Sequence, residues 1–371
     1  MSATALITGG AGFIGSHTAA ELLEGGYAVR ALDPLDSQVH GSGARPGYLH
    51  DDVELIEGDV RDPDAVSRAL EGVDVVVHFA ARVGVGQSMY EIADYTSVNA
   101  MGTGVLLEAM LDRRPARLVV ASSMSVYGEG LYVDDGGRAV PAVERSRDQL
   151  EQGQWEPRGP EGQSLTPRPT PETKEPSLSS IYALGKFDQE RMCLLFGDAY
   201  GVPTVALRFF NVYGPYQALS NPYTGVLAIF ASRLLNDKAP LIYEDGHQRR
   251  DFVSVHDIAR ACRLAVERDG AAGRIVNIGS GESVSVFEIA ERLRSILGRD
   301  SIVSQVTGKY RVGDIRHCFA DISLADEVLG FRPQVSLADG MSELAGWLEG
   351  QVATDRVDDA AAELAARGLT V

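Results

Sequence analysis

The chain has 371 residues, 44% of them hydrophobic, enough to bury a large core as one domain with a lobe or as two domains. A net charge of −18 and a pI near 4.8 argue against a nucleic-acid surface, which needs clustered Lys and Arg, so an anionic ligand must meet a local basic site. Cys193, Cys262 and Cys318 show no CxxC spacing and indicate neither disulfides nor a metal site; with no basic leader and no run of about 18 apolar residues, the reading is a cytoplasmic chain without a membrane span.

In chain order, TALIT is followed by a helix over 13–25, then YAVRALD and VELIEGD. A helix over 63–70 precedes DVVVHFA, and one over 97–112 precedes RLVVASS. Strands alternating with helices predict an α/β fold with a doubly wound parallel sheet. From 131 to 176 the texture turns rich in Pro, Gly and charge, as an inserted loop or lid would be. A long helix carries Tyr182 to about Tyr200, and the strand TVALRFFNV follows. Helices near 226–236 and 286–297, the segments RRDFVSVHDIARA and VNIGSG, and a terminal helical run complete the chain. The expected organisation is a dinucleotide-binding domain over 1–130 and 177–215, the insertion over 131–176, a smaller C-terminal α/β substrate lobe over most of 216–350, and an Ala-rich acidic helix or tail over 351–371.

TALITGGAGFIGS sets Gly9, Gly10, Gly12 and Gly15 between the first strand and first helix, with Phe13 and Ile14 opening the helix. Glycines allow a tight turn and close backbone approach, so a pyrophosphate can rest on the helix N-terminus in the Rossmann manner. Asp33 ends the second strand 18 residues after Gly15, where the adenosine ribose is held. A carboxylate there accepts bonds from a free 2′-OH and repels a 2′-phosphate, favouring NAD over NADP. In EGDVRD, Asp59 and Val60 are placed to reach the adenine, although Asp59 could equally cap the next helix. In SSIYALGK, Tyr182 and Lys186 share a helical face, and the ammonium can depress the phenol pKa from about 10 toward neutrality, as a general base requires.

Together with the serine-rich strand end ASSMSVYG, these motifs resemble the extended short-chain dehydrogenase/reductase family, specifically its NAD-dependent nucleotide-sugar epimerases and dehydratases. The resemblance spans about residues 3–350, the insertion excepted. It implies that Ser123, Tyr182 and Lys186 are catalytic, that Phe79, Ala80 and Ala81 pack on the cofactor, and that Asn99 organises the active-site backbone. It also implies that Ser122 and Phe210 lie near the nicotinamide. Ser88, Asn211, Val226, Ile242, Tyr243, Arg250, Arg311, Asp314 and Cys318 are implied substrate contacts, with Arg250, Arg311 and Asp314 at the nucleoside diphosphate and Cys318 at a position that limits the sugar's substituent. A buried packing cysteine is the alternative for Cys318.

Family members oxidise C4 of the sugar and then diverge. Dehydratases carry an Asp-Glu pair after the reacting Ser or Thr, and decarboxylases a Glu two residues on; here Met124 and Ser125 stand there. C4 epimerisation with NAD and no metal is the implied reaction. LDPLDSQVHG, SNPYTGV and RHCFADIS resemble a subgroup acting on dTDP-6-deoxy-L-hexoses of the rhamnose and talose forms, with UDP-glucose, UDP-N-acetylhexosamine and UDP-glucuronate left open. A 4-keto reductase or a non-catalytic NAD-binding scaffold is the rival class. Relatives pair two helices with their copies, so a homodimer is expected, with Val105, Leu106, Ala109, Cys193, Leu194 and Phe196 on the shared face.

Overall fold

The structure, a computed structural model, describes residues 2–370 apart from 42, 143, 220, 222–224, 312 and 352–356, so parts of SNPYTGV, RVGD and the acidic tail lie outside the described residues. Five apolar runs form β1 (Thr4–Thr8), β2 (Ala28–Asp33), β3 (Glu54–Glu57), β4 (Val75–His78) and β5 (Arg117–Ser123). With the strands Thr204–Phe209 and Ile275–Ile278 they make one seven-stranded parallel sheet. Its order is Ile275–Ile278, Thr204–Phe209, β5, β4, β1, β2, β3. Strand order reverses between β1 and β4, which opens a crevice at the carboxyl ends of the strands.

The strands are apolar throughout because both faces are covered. Ala5, Ile7, Val75, Val77, Val119 and Ala121 pack with Leu22, Ile258, Ala261 and Cys262 on one side. Their neighbours Leu6, Val76, Leu118 and Val120 pack with Val66, Leu106, Met110, Cys193 and Phe196 on the other, as the two-residue period of a strand requires. Leu106, Cys193 and Phe196, expected on an outward face, therefore belong to the core. Outward apolar side chains of the same helices include Ile92, Met101, Leu184 and Leu195.

The helix Ile181–Tyr200 starts at Ser180, whose hydroxyl accepts from Ala183 N, and ends at Gly201 in the left-handed region with φ 69°. The helix expected over 97–112 begins earlier, at Ile92, and widens into a π-helical turn at Ser97–Met101 before continuing through Gly102–Ala109. Asp59 does not cap the next helix: Asp62 does, accepting from Asp64 N.

The lobe has its own core, with Leu227, Phe230, Leu234, Phe252, Ile289, Leu293, Met341 and Leu344 among the helices Val226–Leu235, Val286–Ile296 and Leu337–Leu348. Two elements that sequence order places in the lobe complete the sheet domain instead: the strand Ile275–Ile278, and the helix Val255–Glu267 packed on Phe13–Glu24. A four-residue strand carries too little periodicity to reveal which sheet it joins. The insertion contains the antiparallel pair Leu131–Val133 with Thr166–Arg168 and a short helix, Arg147–Glu151, and it buries Tyr132, Leu150 and Thr170.

Candidate active site

The glycine turn is built for a close neighbour. Gly9 has φ 71°, and a Cβ there would meet Ala80 N at 3.0 Å; a Cβ at Gly15 would collide with the Gly9 carbonyl. The turn thus lies against Phe79–Ala81, whose backbone is fixed by Phe79 N to Thr8 O at 3.0 Å and Ala80 N to Thr8 Oγ1 at 3.2 Å. Gly12 is the N-cap of Phe13–Glu24 and supplies no side-chain cap, so no side chain competes for the first-turn amides near Phe13 and Ile14.

At the end of β2, buried Asp33 accepts from Ala11 N at 3.1 Å and Leu35 N at 2.9 Å, and His40 Nε2 lies 3.4 Å from it. Asp59 is held by Arg61 through a fork at 2.6 and 3.0 Å, and the guanidinium keeps its carboxyl below the usual range; Val60 beside it is buried. This uncapped glycine turn with an acid at the end of the second strand fits NAD, which Gly9, Gly12, Gly15 and Asp33 would hold.

The residues expected to be catalytic lie around the end of β5. Ser123 accepts from Ser125 N at 3.1 Å, and its hydroxyl lies on the side of the Tyr182 phenol. Burial raises the Tyr182 pKa, and the Ser123 hydroxyl opposes that rise. Lys186 is not the partner that its spacing implies. Its buried ammonium donates to Ala121 O at 2.9 Å and Gln189 Oε1 at 3.0 Å, because a buried cation must find acceptors, and burial pushes its pKa down to about 8.

Gln189 also donates to Thr103 Oγ1 at 3.0 Å and Ala80 O at 3.1 Å and lies 3.1 Å from His78 Nε2. His78, paired with Thr8 Oγ1 at 2.7 Å, is pushed down to about 3 by burial and then by the Lys186 charge, so the imidazole is neutral. One neutral network therefore joins Lys186 to the cofactor cradle. Sequence reasoning missed Gln189 and His78, although a histidine ending the apolar run VVVH was a visible signal.

Asn99, on the π-helical turn, accepts from Arg82 N at 2.7 Å and donates to Arg82 O at 3.1 Å, tying down the loop after β4. Ser122 turns its hydroxyl to Glu190, 2.7 Å away, within the buried Glu190–Arg208 pair. Ser88 is fully buried and anchors the start of the tyrosine's helix, donating to Val85 O and accepting from Tyr182 N at 3.1 Å. That leaves its hydroxyl committed to the helix.

Phe210 stacks obliquely on Tyr127 at 6.4 Å, and Asn211 Oδ1 is buried without a protein partner. Val226 opens its helix and Ile242 is sealed in the lobe core. Arg311 lies over the Tyr243 ring at 4.9 Å, and Arg250 faces Asp314 at 3.8 Å while donating to the carbonyls of Ile315 and Arg316. Cys318 is buried with Met124, Tyr127 and Phe210, and burial pushes its thiol up to about 12. No helix among the described residues is long and apolar enough to cross a membrane.

Comparison with known proteins agrees with this geometry. The dTDP-L-rhamnose 4-epimerase of Burkholderia thailandensis is 37% identical over 349 residues, covering 92% of this chain and 94% of that one. A UDP-glucose 4-epimerase from Thermotoga maritima, solved with UDP-glucose, superposes with a TM-score of 0.76 at 30% identity, over 93% of this chain and 98% of that one. The Thermus thermophilus UDP-glucose 4-epimerase, solved with NAD, gives 0.74 at 29% identity, over 94% of this chain and all of that one. Residues 5–279 match the family described as NAD dependent epimerase/dehydratase. With the glycine turn, Asp33 and Ser123 at the carboxyl ends of one parallel sheet, the chain belongs to the NAD-dependent epimerase/dehydratase family of extended short-chain dehydrogenases/reductases.

Proposed function

We propose that this NAD-dependent nucleotide-sugar 4-epimerase acts on a dTDP-6-deoxy-L-hexose, interconverting the rhamnose and talose forms. The observation that carries epimerisation is the pair Met124 and Ser125 directly after Ser123: both are buried at the reacting serine, and neither can act as the acid of an elimination. The 37% identity to a dTDP-L-rhamnose 4-epimerase supports the sugar.

Tyr182 takes the proton of the sugar 4-OH as the C4–H bond breaks, leaving a 4-keto sugar. NAD, when bound, supplies the acceptor for that hydride and the donor for its return. Ser123 hydrogen-bonds O4 and limits charge build-up there, while Lys186, Gln189 and Asn99 keep the surrounding backbone fixed. After the sugar presents its other face, Tyr182 gives the proton back, so the cycle closes with no net redox change. Arg250 and Arg311 bind the diphosphate, and the uncommitted Asn211 Oδ1 is available to a ligand hydroxyl. Met101, Leu184 and Leu195 pair with a second copy; Leu184 and Leu195, eleven residues apart, share a helical face. Light scattering should give about twice the 39.8 kDa chain mass.

The test is to incubate purified protein with dTDP-L-rhamnose, UDP-glucose, UDP-N-acetylglucosamine and UDP-glucuronate without added cofactor, and to separate products by chromatography. A dTDP-rhamnose/talose mixture is expected. Turnover only with added NADH would mark a net reductase, and turnover of UDP-sugars alone would overturn the substrate.

A further inference from the structure

The insertion over 131–176 is joined to the lobe by the buried Arg145 and the half-exposed Glu156, and their ion pairs and hydrogen bonds converge on one short stretch, Asp314–His317. Arg145 donates to Asp314 O at 2.8 Å, and to Glu244 Oε1 at 2.8 Å. Glu156 receives the Arg316 guanidinium at 2.6 Å and lies 3.0 Å from His317 Nε2. Glu129, just before the insertion, accepts the backbone N–H groups of Arg316 at 2.7 Å and His317 at 3.1 Å. Arg316 reaches Glu244 at 3.0 Å and Asp245 at 2.6 Å as well. Arg145, Arg316 and Glu244 are all buried. A passive surface excursion has no reason to bury two guanidinium groups, whose desolvation costs several kcal/mol each unless the geometry repays it.

The other side of the same stretch faces the substrate arginines. Arg250 is aimed by the carbonyls of Ile315 and Arg316 and by Asp314. Arg311, three residues before Asp314, lies over Tyr243, the neighbour of Glu244. Arg250 therefore hangs from backbone that the insertion holds in place, and Arg311 adjoins it, its carbonyl accepting from Asp314 N at 3.2 Å.

We propose that Arg145 and Glu156 are positioning residues for Arg250 and Arg311, so that the insertion sets the affinity for the nucleoside diphosphate of the substrate. This rests on the reading of Arg250 and Arg311 as diphosphate ligands. A bidentate grip tolerates little displacement of the guanidinium plane, so loosening Asp314–His317 weakens binding without touching the chemistry at Tyr182.

The experiment measures dTDP and UDP binding to the NAD-loaded protein by calorimetry, with KM and kcat on the turned-over sugar nucleotide. Arg145→Met should raise the dTDP Kd about tenfold, equivalent to ~1.4 kcal/mol, with the loss in KM exceeding that in kcat and NAD affinity unchanged. Millimolar guanidinium added to Arg145→Ala should recover part of the affinity, which a general loss of stability would not allow. A folded Arg145→Met protein binding dTDP as wild type does would overturn the proposal. If that variant does not fold, Glu156→Gln, altering a half-exposed side chain, takes its place: a several-fold rise in Kd supports the role, and no change overturns it. Arg250→Met is the control. Should it leave dTDP binding intact, the arginine assignment itself falls, and the proposal with it; should it weaken binding while Arg145→Met and Glu156→Gln do not, only the proposal falls.

Discussion

The sheet end and the insertion both hold reactive or binding groups in place, yet they do so with different physics. At the sheet end, Lys186, Gln189, His78, Thr8 and Thr103 form a largely uncharged hydrogen-bond network rooted in two strands and two helices. At the insertion, Arg145, Arg316, Glu244, Asp245 and Glu156 form a cluster of full charges between loops. Where regular elements already fix the backbone, neutral bonds suffice to orient side chains. Where the backbone is irregular, charges supply the restraint, since charge-assisted bonds are roughly twice as strong as neutral ones.

Breaking the sheet end should be the most damaging. Tyr182→Phe removes the proposed base and should lower kcat by about 10²–10⁴-fold while the protein still copurifies with NAD; activity within about tenfold of wild type would remove Tyr182 from that role. Next in size is Glu190→Gln. It strips the buried Arg208 of its fork at 2.7 and 2.9 Å, and leaving one buried charge unpaired typically costs about 3–5 kcal/mol. The matching change in the insertion, Glu156→Gln, leaves Arg316 with Glu244 and Asp245 and should lower the melting temperature far less. Equal losses would show that the distributed cluster offers no redundancy.

The same contrast decides what the sequence reveals. Strand and helix periods, the glycine turn and YxxxK are local patterns, and they led to the sheet, the family and its NAD cofactor. The Lys186 orientation was not legible, because spacing puts it on the face of Tyr182 but says nothing of the acceptors Ala121 O and Gln189 that compete for it. The insertion cluster was less legible still. Arg145 meets Glu244 across 99 residues and Arg316 meets Glu156 across 160, so the Pro- and Gly-rich texture read only as an inserted loop or lid. Leu106, Cys193 and Phe196 were misplaced on the outward helix face for a related reason: a hydrophobic pattern shows that a face is apolar, not whether sheet or solvent lies beside it.

Cofactor choice is a smaller effect at the sheet end. Asp33→Asn removes the charge that repels a 2′-phosphate and weakens the acceptor for ribose hydroxyls. A hydrogen bond to a charged group is worth about 1.5–3 kcal/mol, so NAD affinity should fall about tenfold or more while NADP loses less. Parallel losses for both cofactors in a titration would mean that Asp33 serves the backbone of Ala11 and Leu35 and does not discriminate.

The smallest effect concerns acid. Burial alone would raise the Glu156 pKa, but its bonds to His317 and Arg316 and their charges outweigh that and hold it down at about 2, below the ordinary 4.5. A carboxyl whose folded pKa is depressed contributes stability that is fully present above the unfolded value and is lost as pH falls toward the folded one. The contribution of Glu156 should therefore be constant above about pH 5 and decline between 4.5 and 2. Because the side chain is half exposed, its size should stay near the ~0–1 kcal/mol of screened pairs and shrink with added salt. Melting temperatures of wild type and Glu156→Gln, measured from pH 7 downward, should differ by a small fixed amount and converge in acid. Curves that diverge as pH falls would reverse the sign and mean that Glu156 is held in its place protonated.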